Sequence, residues 1–336
     1  MKKPFLTLTA LFLMTFGLAS LACADGVRLT YSNFFPPTHI QSKLAEQWCR
    51  EVEKRTDGKV IIDYYPGGTL TKAKQCYDGV VESISDIGMS CLAYSRGRFP
   101  VMAAVDLPLG YTSGTQATFI ANAVATKFTP AEFDDVKPLY FHAHGPGLLF
   151  TSEKPVRTLA DLKGQKIRAT GNSAKLVKAL GGSPVAQPMP TTYQSLQKGV
   201  VDGSMHPIES NKGWKLGEVV KFCTESVPVA YTTTFFVVMN KNKWASIDPQ
   251  SQAVITKINE EWAAKHGAAW DDADAAGRQF FLDKGGKVLA LETGEAALWV
   301  QTAQPVMDEY TDSPEGRKVN AGEVVEFIKA EMAKSP

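Results

Sequence analysis

Cysteine is scarce in this chain: five residues in 336, none of them in C-x-x-C spacing. That excludes a zinc ribbon or a thioredoxin-type redox motif. Four of the five, Cys49, Cys76, Cys91 and Cys223, lie beyond position 25. Cys76 and Cys91 form the one close pair, and an oxidising compartment would permit a disulfide between them, with four buried thiols as the alternative. Excess charge is missing too. Lys plus Arg (36) and Asp plus Glu (35) leave +1, spread along the chain without a basic cluster, which gives nucleic acid or an anionic membrane no footing. After the first 24 residues no apolar run is long enough to cross a bilayer. Enzyme signatures are equally absent: no G-x-S-x-G, no H-E-x-x-H and no P-loop. "HGPGLLF" at 144–150 carries Pro146 and lacks a third glycine, so it reads as a bend rather than a dinucleotide turn. No catalytic group, metal or cofactor is expected.

The N-terminus differs from the rest. Lys2 and Lys3 precede "FLTLTALFLMTFGLASLA", and Ala22 and Ala24 form an A-x-A site before Asp25. A basic start, an apolar stretch and small residues at the end read as a cleaved signal peptide over 1–24, followed by export to the periplasm. Thr and Ser interrupt the stretch and no basic flank follows it, which disfavours a membrane anchor. Cys23 raises lipoprotein processing, but "SLA" before it is a poor lipobox.

"VRLTYSN" (27–33) alternates like a strand, and Thr38 can cap a helix carrying Ile40, Leu44, Trp48 and Val52 on one face. "VIIDYY", a helix over Thr71–Ser85 and "DIGMSC" follow. This β-α-β-α-β start implies an open parallel sheet covered by helices on both faces. "VKPLYFHAHGPGLLFTS" (136–152) reads as a strand too long for one small sheet, bent at Gly-Pro-Gly where the chain passes to a second domain. "YTTTFFVVMN" (231–240) is long enough to bring it back, so two crossing strands make a hinge. A helical pattern holds from Ser246 to Lys284, with a kink expected near Gly267 or Gly277, and two more helices cover Thr293–Thr311 and Ala321–Lys334. The domains expected are 25–147 with 237–275, and 148–236 with 276–336.

His142 and His144 in "HAH" share a strand face, a weak metal signal, and polar residues on a partly exposed strand are the blander reading. His266 falls in the long helix pattern as a structural residue. Phe34, Phe35, Tyr94, Trp214, Phe235 and Phe236 lie at strand ends and loops, where open α/β sheets bind ligands; interdomain packing is the competing reading. One further residue stands out: Arg168, at the end of "KIRAT" beside a helix start, with no catalytic group near it in sequence.

"DLKGQKIRAT…ALGGSPV…TTYQSLQKGVVDG" (161–203) resembles the core signature of TRAP-transporter solute-binding proteins of the DctP type. "YYPGGTL" (64–70), "RFPVMAAVDLPLGY" (98–111) and "FFVVMNKNKW" (235–244) also resemble their family counterparts, in the same order. The resemblance covers essentially the whole chain after 24. It implies a two-domain α/β periplasmic-binding-protein fold, type II-like, with crossing strands and a long helix spanning both domains. The role it implies is capture of a small organic anion in the periplasm and delivery to the small and large membrane subunits of a TRAP transporter, by a monomer that is no enzyme. Its signature arginine matches Arg168, whose guanidinium fork would grip a carboxylate through two charge-assisted hydrogen bonds. A helix start beside it would add N–H donors.

Several positions depart from sialic-acid and dicarboxylate members. His206 in "SMHP" replaces an asparagine, Thr191 in "PTTY" replaces an acid, and a second ligand arginine of some members would fall near Leu148. Tyr94, Met189, Trp214 and Phe34 suggest an apolar pocket, with Phe236 on the returning strand. The expected ligand is therefore a monocarboxylate, aromatic or branched, with a small sulfonate as the alternative. Glu209 could receive a ligand amine or be a plain helix-start acid. An exported enzyme or a ligand sensor on the same scaffold is the alternative function.

Overall fold

A computed structural model describes residues 26–95, 97–291 and 293–334. The expected signal peptide, its A-x-A site and Cys23 lie outside the described residues. The chain starts with β1 (Val27–Asn33), α1 (Ile40–Arg55), β2 (Val60–Tyr65), α2 (Cys76–Val81) and β3 (Ile87–Cys91). Here α1 is capped by His39 rather than Thr38: His39 Nδ1 accepts from Gln41 N. After α3 (Gly114–Phe128) and β4 (Val136–Ala143) the chain leaves the first lobe.

The second lobe is built from β5 (Gly147–Thr151), α4 (Leu159–Leu162), β6 (Lys166–Ala169), α5 (Gly171–Ala179), β7 (Ser183–Ala186), α6 (Thr192–Gln197), β8 (Gly203–Pro207), α7 (Ser210–Gly213) and β9 (Phe222–Glu225). The chain then returns through β10 (Thr234–Asn240), α8 (Lys241–Ser246) and α9 (Pro249–Asp283), and ends with β11 (Lys287–Ala290), α10 (Thr293–Asp312), α11 (Pro314–Lys318) and α12 (Ala321–Met332).

Two sheets result, ordered β2-β1-β3-β10-β4 and β11-β9-β5-β8-β6-β7. β1 pairs parallel to β2 and β3, as the β-α-β reading requires. Neither sheet is wholly parallel, however. β10 runs antiparallel to β3 and β4, and β5 antiparallel to β8 and β9, because each enters its sheet from the crossing. Each sheet carries an apolar core on both faces. In the first lobe one core gathers Trp48, Val52, Ile258 and Trp262, and the other Tyr77, Phe99, Ile120 and Phe236. In the second, Ile167, Leu176 and Trp299 fill one face, and Phe150, Val201 and Phe281 the other. Each fully buried large side chain contributes about 1.5–3 kcal/mol.

The stretch 136–152 is thus two strands in two sheets, separated by His144-Gly145-Pro146. A Cβ on Gly145 would meet the Asp274 carboxylate, and one on Gly147 the Tyr231 ring. Gly147 N donates to Tyr231 O at 2.7 Å, which ties the outgoing strand to the returning one. The long helical pattern starts three residues later than expected. Asp248 caps the amides of Gln250 and Ser251, and Pro249 occupies the first turn. α9 then runs 35 residues without interruption, roughly 50 Å at 1.5 Å per residue. Its glycines are close-approach points: a Cβ on Gly267 would crowd Thr115 and Thr118 of α3, and one on Gly277 the backbone of Ile208 and Glu209. One helix thereby leans on both lobes. The C-terminal helices divide as well, α10 packing on α5 and α12 on α3, where the sequence reading had placed both with the second domain.

Candidate functional site

The site starts with β6, which lies between β7 and β8 in the second sheet. Its three residues from Ile167 onward are buried, and Arg168 is only 3% exposed. Two backbone carbonyls hold the guanidinium: Nε donates to Gln187 O at 2.9 Å and Nη1 to Met205 O at 3.2 Å. No acidic side chain lies within ion-pair distance of it among the described residues. A guanidinium has five N–H donors, so most remain for the cleft that Arg168 lines. A buried charge without a counter-ion is costly. The position therefore favours an incoming anion.

That cleft lies between the lobes, with Phe34, Phe35, Tyr94, Trp270 and Phe235 from the first side and Arg168, Met189, His206, Glu209 and Trp214 from the second. It contains about 400 Å³ not filled by protein atoms. Such a space suits a small ligand. The aromatic rings form a continuous wall. Phe34 stacks on Phe35 at 4.4 Å, lies parallel to Trp214 at 6.1 Å and to Phe235 at 6.3 Å, and meets Tyr94 edge-on at 5.7 Å. Offset and edge-on ring contacts of this kind are attractive beyond the area they bury.

Among the described residues, three side-chain hydrogen bonds join the two sides at the cleft. Met189 N donates to Tyr94 Oη at 2.8 Å, Asn172 Nδ2 to Ala103 O at 2.8 Å, and His39 Nε2 to Glu209 Oε2 at 3.1 Å. Because His39 Nδ1 already accepts from Gln41 N, its proton sits on Nε2 and points at the carboxylate. Glu209 also accepts from Ser210 Oγ at 2.5 Å, so both its oxygens are engaged. Its backbone N–H donates to Asp274 at 3.0 Å, and burial, then the Glu209 charge, raise Asp274 to about 8.

Seven of the eight expected ligand residues line this one cleft: Arg168, His206, Tyr94, Phe34, Met189, Trp214 and Glu209. Phe236 does not. It pairs across the sheet with Ser90 and Phe141 and packs against Tyr77 and Phe99 in the core under the opposite face, while its neighbour Phe235 faces the cleft. The reason is strand alternation: adjacent residues point to opposite faces. Leu148 is buried in β5, paired with His206, and Thr191 is exposed on the turn before α6. The helix start beside Arg168 is partly spent, because Thr170 and Ser173 form a capping box with each other.

Two other expectations are corrected. Cys76 and Cys91 are free thiols, as are Cys49 and Cys223, and all four are buried. Cys76 belongs to the core on one face of the first sheet and Cys91 to the core on the other, so the sheet separates them. "HAH" is fully buried rather than partly exposed. His142 Nδ1 accepts from Trp270 Nε1 at 3.1 Å, and its ring stacks on His266 at 4.3 Å. His144 lines the cleft, donates Nδ1–H to Gly145 O, and is lowered to about 4, chiefly by burial. Among the described residues no group of three His, Cys, Asp or Glu gathers to hold a metal. The sequence reading missed Tyr231, Thr233 and Trp270 as lining residues; Tyr231 and Thr233 lie in the crossing segment, and Trp270 was hidden in the helical stripe.

Residues 31–313 match the family described as DctP: Bacterial extracellular solute-binding protein, family 7. The 2,3-diketo-L-gulonate-binding periplasmic protein YiaO of Escherichia coli K12 is 28% identical over 253 residues, 74% of this chain and 76% of that protein. A TRAP periplasmic solute binding protein from Desulfovibrio salexigens is 32% identical with a TM-score of 0.80, covering 92% of this chain and 96% of that one. A marine metagenome TRAP solute binding protein, described as specific for aromatic acid ligands and solved with 3-hydroxybenzoate, is 28% identical with a TM-score of 0.87, covering 92% and 98%. Two lobes, two sheets joined by crossing strands, and a match over most of the chain give one conclusion: this protein belongs to the DctP family of TRAP periplasmic solute-binding proteins.

Proposed function

We propose that this protein captures a small monocarboxylate with an aromatic or branched body in the periplasm and hands it to the membrane subunits of a TRAP transporter. Members of its family bind solutes for transport and are not enzymes. The observation that carries the ligand class is Arg168: a buried guanidinium, oriented by two carbonyls and paired with no acidic side chain, facing the cleft. The aromatic wall supports the apolar body, and the marine metagenome neighbour holds an aromatic acid. A small sulfonate is the second reading, because the same fork accepts its oxygens. Export rests on residues 1–24 acting as a signal peptide. In this reading Glu209 closes the cleft through His39 rather than receiving a ligand amine.

Titration calorimetry against a panel of aromatic and branched monocarboxylates and sulfonates tests this. Arg168→Ala leaves the ligand charge buried and unpaired, at a cost of about 2–5 kcal/mol, or roughly 30-fold to several-thousand-fold in affinity. Arg168→Lys keeps the charge but not the fork and recovers part of that. A folded Ala variant that binds within a few-fold of native overturns the assignment.

A further inference from the structure

His206 sits on β8, in register with β6: Arg168 pairs with Ser204, and residues two apart on a strand share a face. Arg168 and His206 therefore project to the same side of the sheet, into the same cleft. The His206 ring is fully buried and lies flat on Phe150, with centroids 4.1 Å apart and planes 11° apart. Both its nitrogens lack a hydrogen-bond partner, and so does Asn211 Oδ1 next to it. The Asn211 amide is fixed in orientation, because Nδ2 donates to Ile208 O at 3.0 Å. Asn211 Oδ1 is thus a pure acceptor, near enough to act on the imidazole though without hydrogen-bond geometry in this conformation. Burial, then Arg168, drive the ring to its neutral form, and a neutral imidazole has a single N–H. Asn211 Oδ1 needs that proton. The other nitrogen is then an acceptor only.

We propose that His206 offers the cleft a hydrogen-bond acceptor rather than a donor, so that the acid held by Arg168 must carry a hydroxyl as well as its carboxylate: the ligand is a hydroxy-monocarboxylate. This rests on the reading of the cleft as a carboxylate site. An unpaired imidazole nitrogen would repel a second carboxylate oxygen, so in this reading the carboxylate goes to Arg168 and a different group faces His206. An ammonium donor is disfavoured, because it would sit beside Arg168 while Glu209 is already held by His39 and Ser210. Asn211 acts as a positioning residue that sets the tautomer.

The test uses matched pairs of acids on the mature protein: 3-hydroxybenzoate with benzoate, mandelate with phenylacetate, and 2-hydroxyisovalerate with isovalerate. In at least one pair the hydroxy acid is expected to bind roughly 5- to 150-fold tighter, the cost of leaving a buried acceptor unpaired. His206→Phe, which preserves the stack on Phe150, should bring that ratio close to one. Ring ¹⁵N shifts of His206 in the bound native protein should show one protonated and one acceptor nitrogen from pH 5 to 8. Equal binding within every pair, a preference that survives His206→Phe, or an imidazolium signature overturns the hydroxyl requirement and leaves acid capture standing. If no acid of the panel binds, acid capture itself falls.

Discussion

Asp274 shows how one side chain can be read for sign as well as position. It projects from α9 at the junction of the lobes, accepts from Glu209 N, and is raised from 3.8 to about 8 by burial first and the Glu209 charge second. The folded state thus holds a proton that the unfolded chain releases near pH 4. Its stabilising contribution is complete below that value and is lost as pH rises through about 8. The buried histidines have the opposite sign. His144, lowered to about 4, and His266, lowered to about 3, favour the fold above 6.5 and cease to do so as pH falls through those values. A bare melting profile mixes the two, whereas Asp274→Asn isolates one. Its melting temperature should fall less between pH 6 and 9 than that of the native protein, by calorimetry; parallel profiles would mean that Asp274 is already ionised in the fold.

Among the elements, the crossing of β5 with the returning chain tolerates least. Gly147 has no room for a side chain against the Tyr231 ring, and its N–H is bonded to Tyr231 O. Gly147→Ala should cost about 1–3 kcal/mol, an overpacking penalty, in a denaturant melt; a neutral outcome would show that Tyr231 can move aside. The crossing was legible in the sequence because Gly-Pro-Gly interrupts an unusually long β-rich run. Strand β1, the apolar face of α1 and the length of α9 were legible through periodicity, and Arg168 through a motif whose spacing is specific. Other features depended on partners remote in sequence. The choice between Phe235 and Phe236 is fixed by the register of β10 on β3 and β4, about 150 and 100 residues away. Trp270 lies on a helix that touches both lobes, and period 3.6 does not say which neighbour a residue faces. Cys76 and Cys91 are near in sequence, but a sheet between them decides the matter. His206 was visible as a departure from the family, while its orphaned nitrogens follow from the packing around the ring.

For the molecule as a whole, Tyr94–Met189, Asn172–Ala103 and His39–Glu209 bond one lobe to the other. The segments near Gly145–Thr151 and Tyr231–Phe236, together with α9, are where the lobes can rotate. Saturating ligand should reduce the radius of gyration in small-angle scattering, and Tyr94→Phe, which removes one acceptor, should lessen that compaction. An unchanged radius would mean the lobes are fixed. The three bridges have another consequence. We expect them to act as a roof that holds a ligand until they break. Residence time is then governed by how often the roof lifts rather than by how tightly the acid is gripped. Chemically different cargoes should escape at similar rates and differ mainly in how readily they allow the roof to shut, and a membrane partner could hasten unloading by prising apart the lobes without touching the cargo.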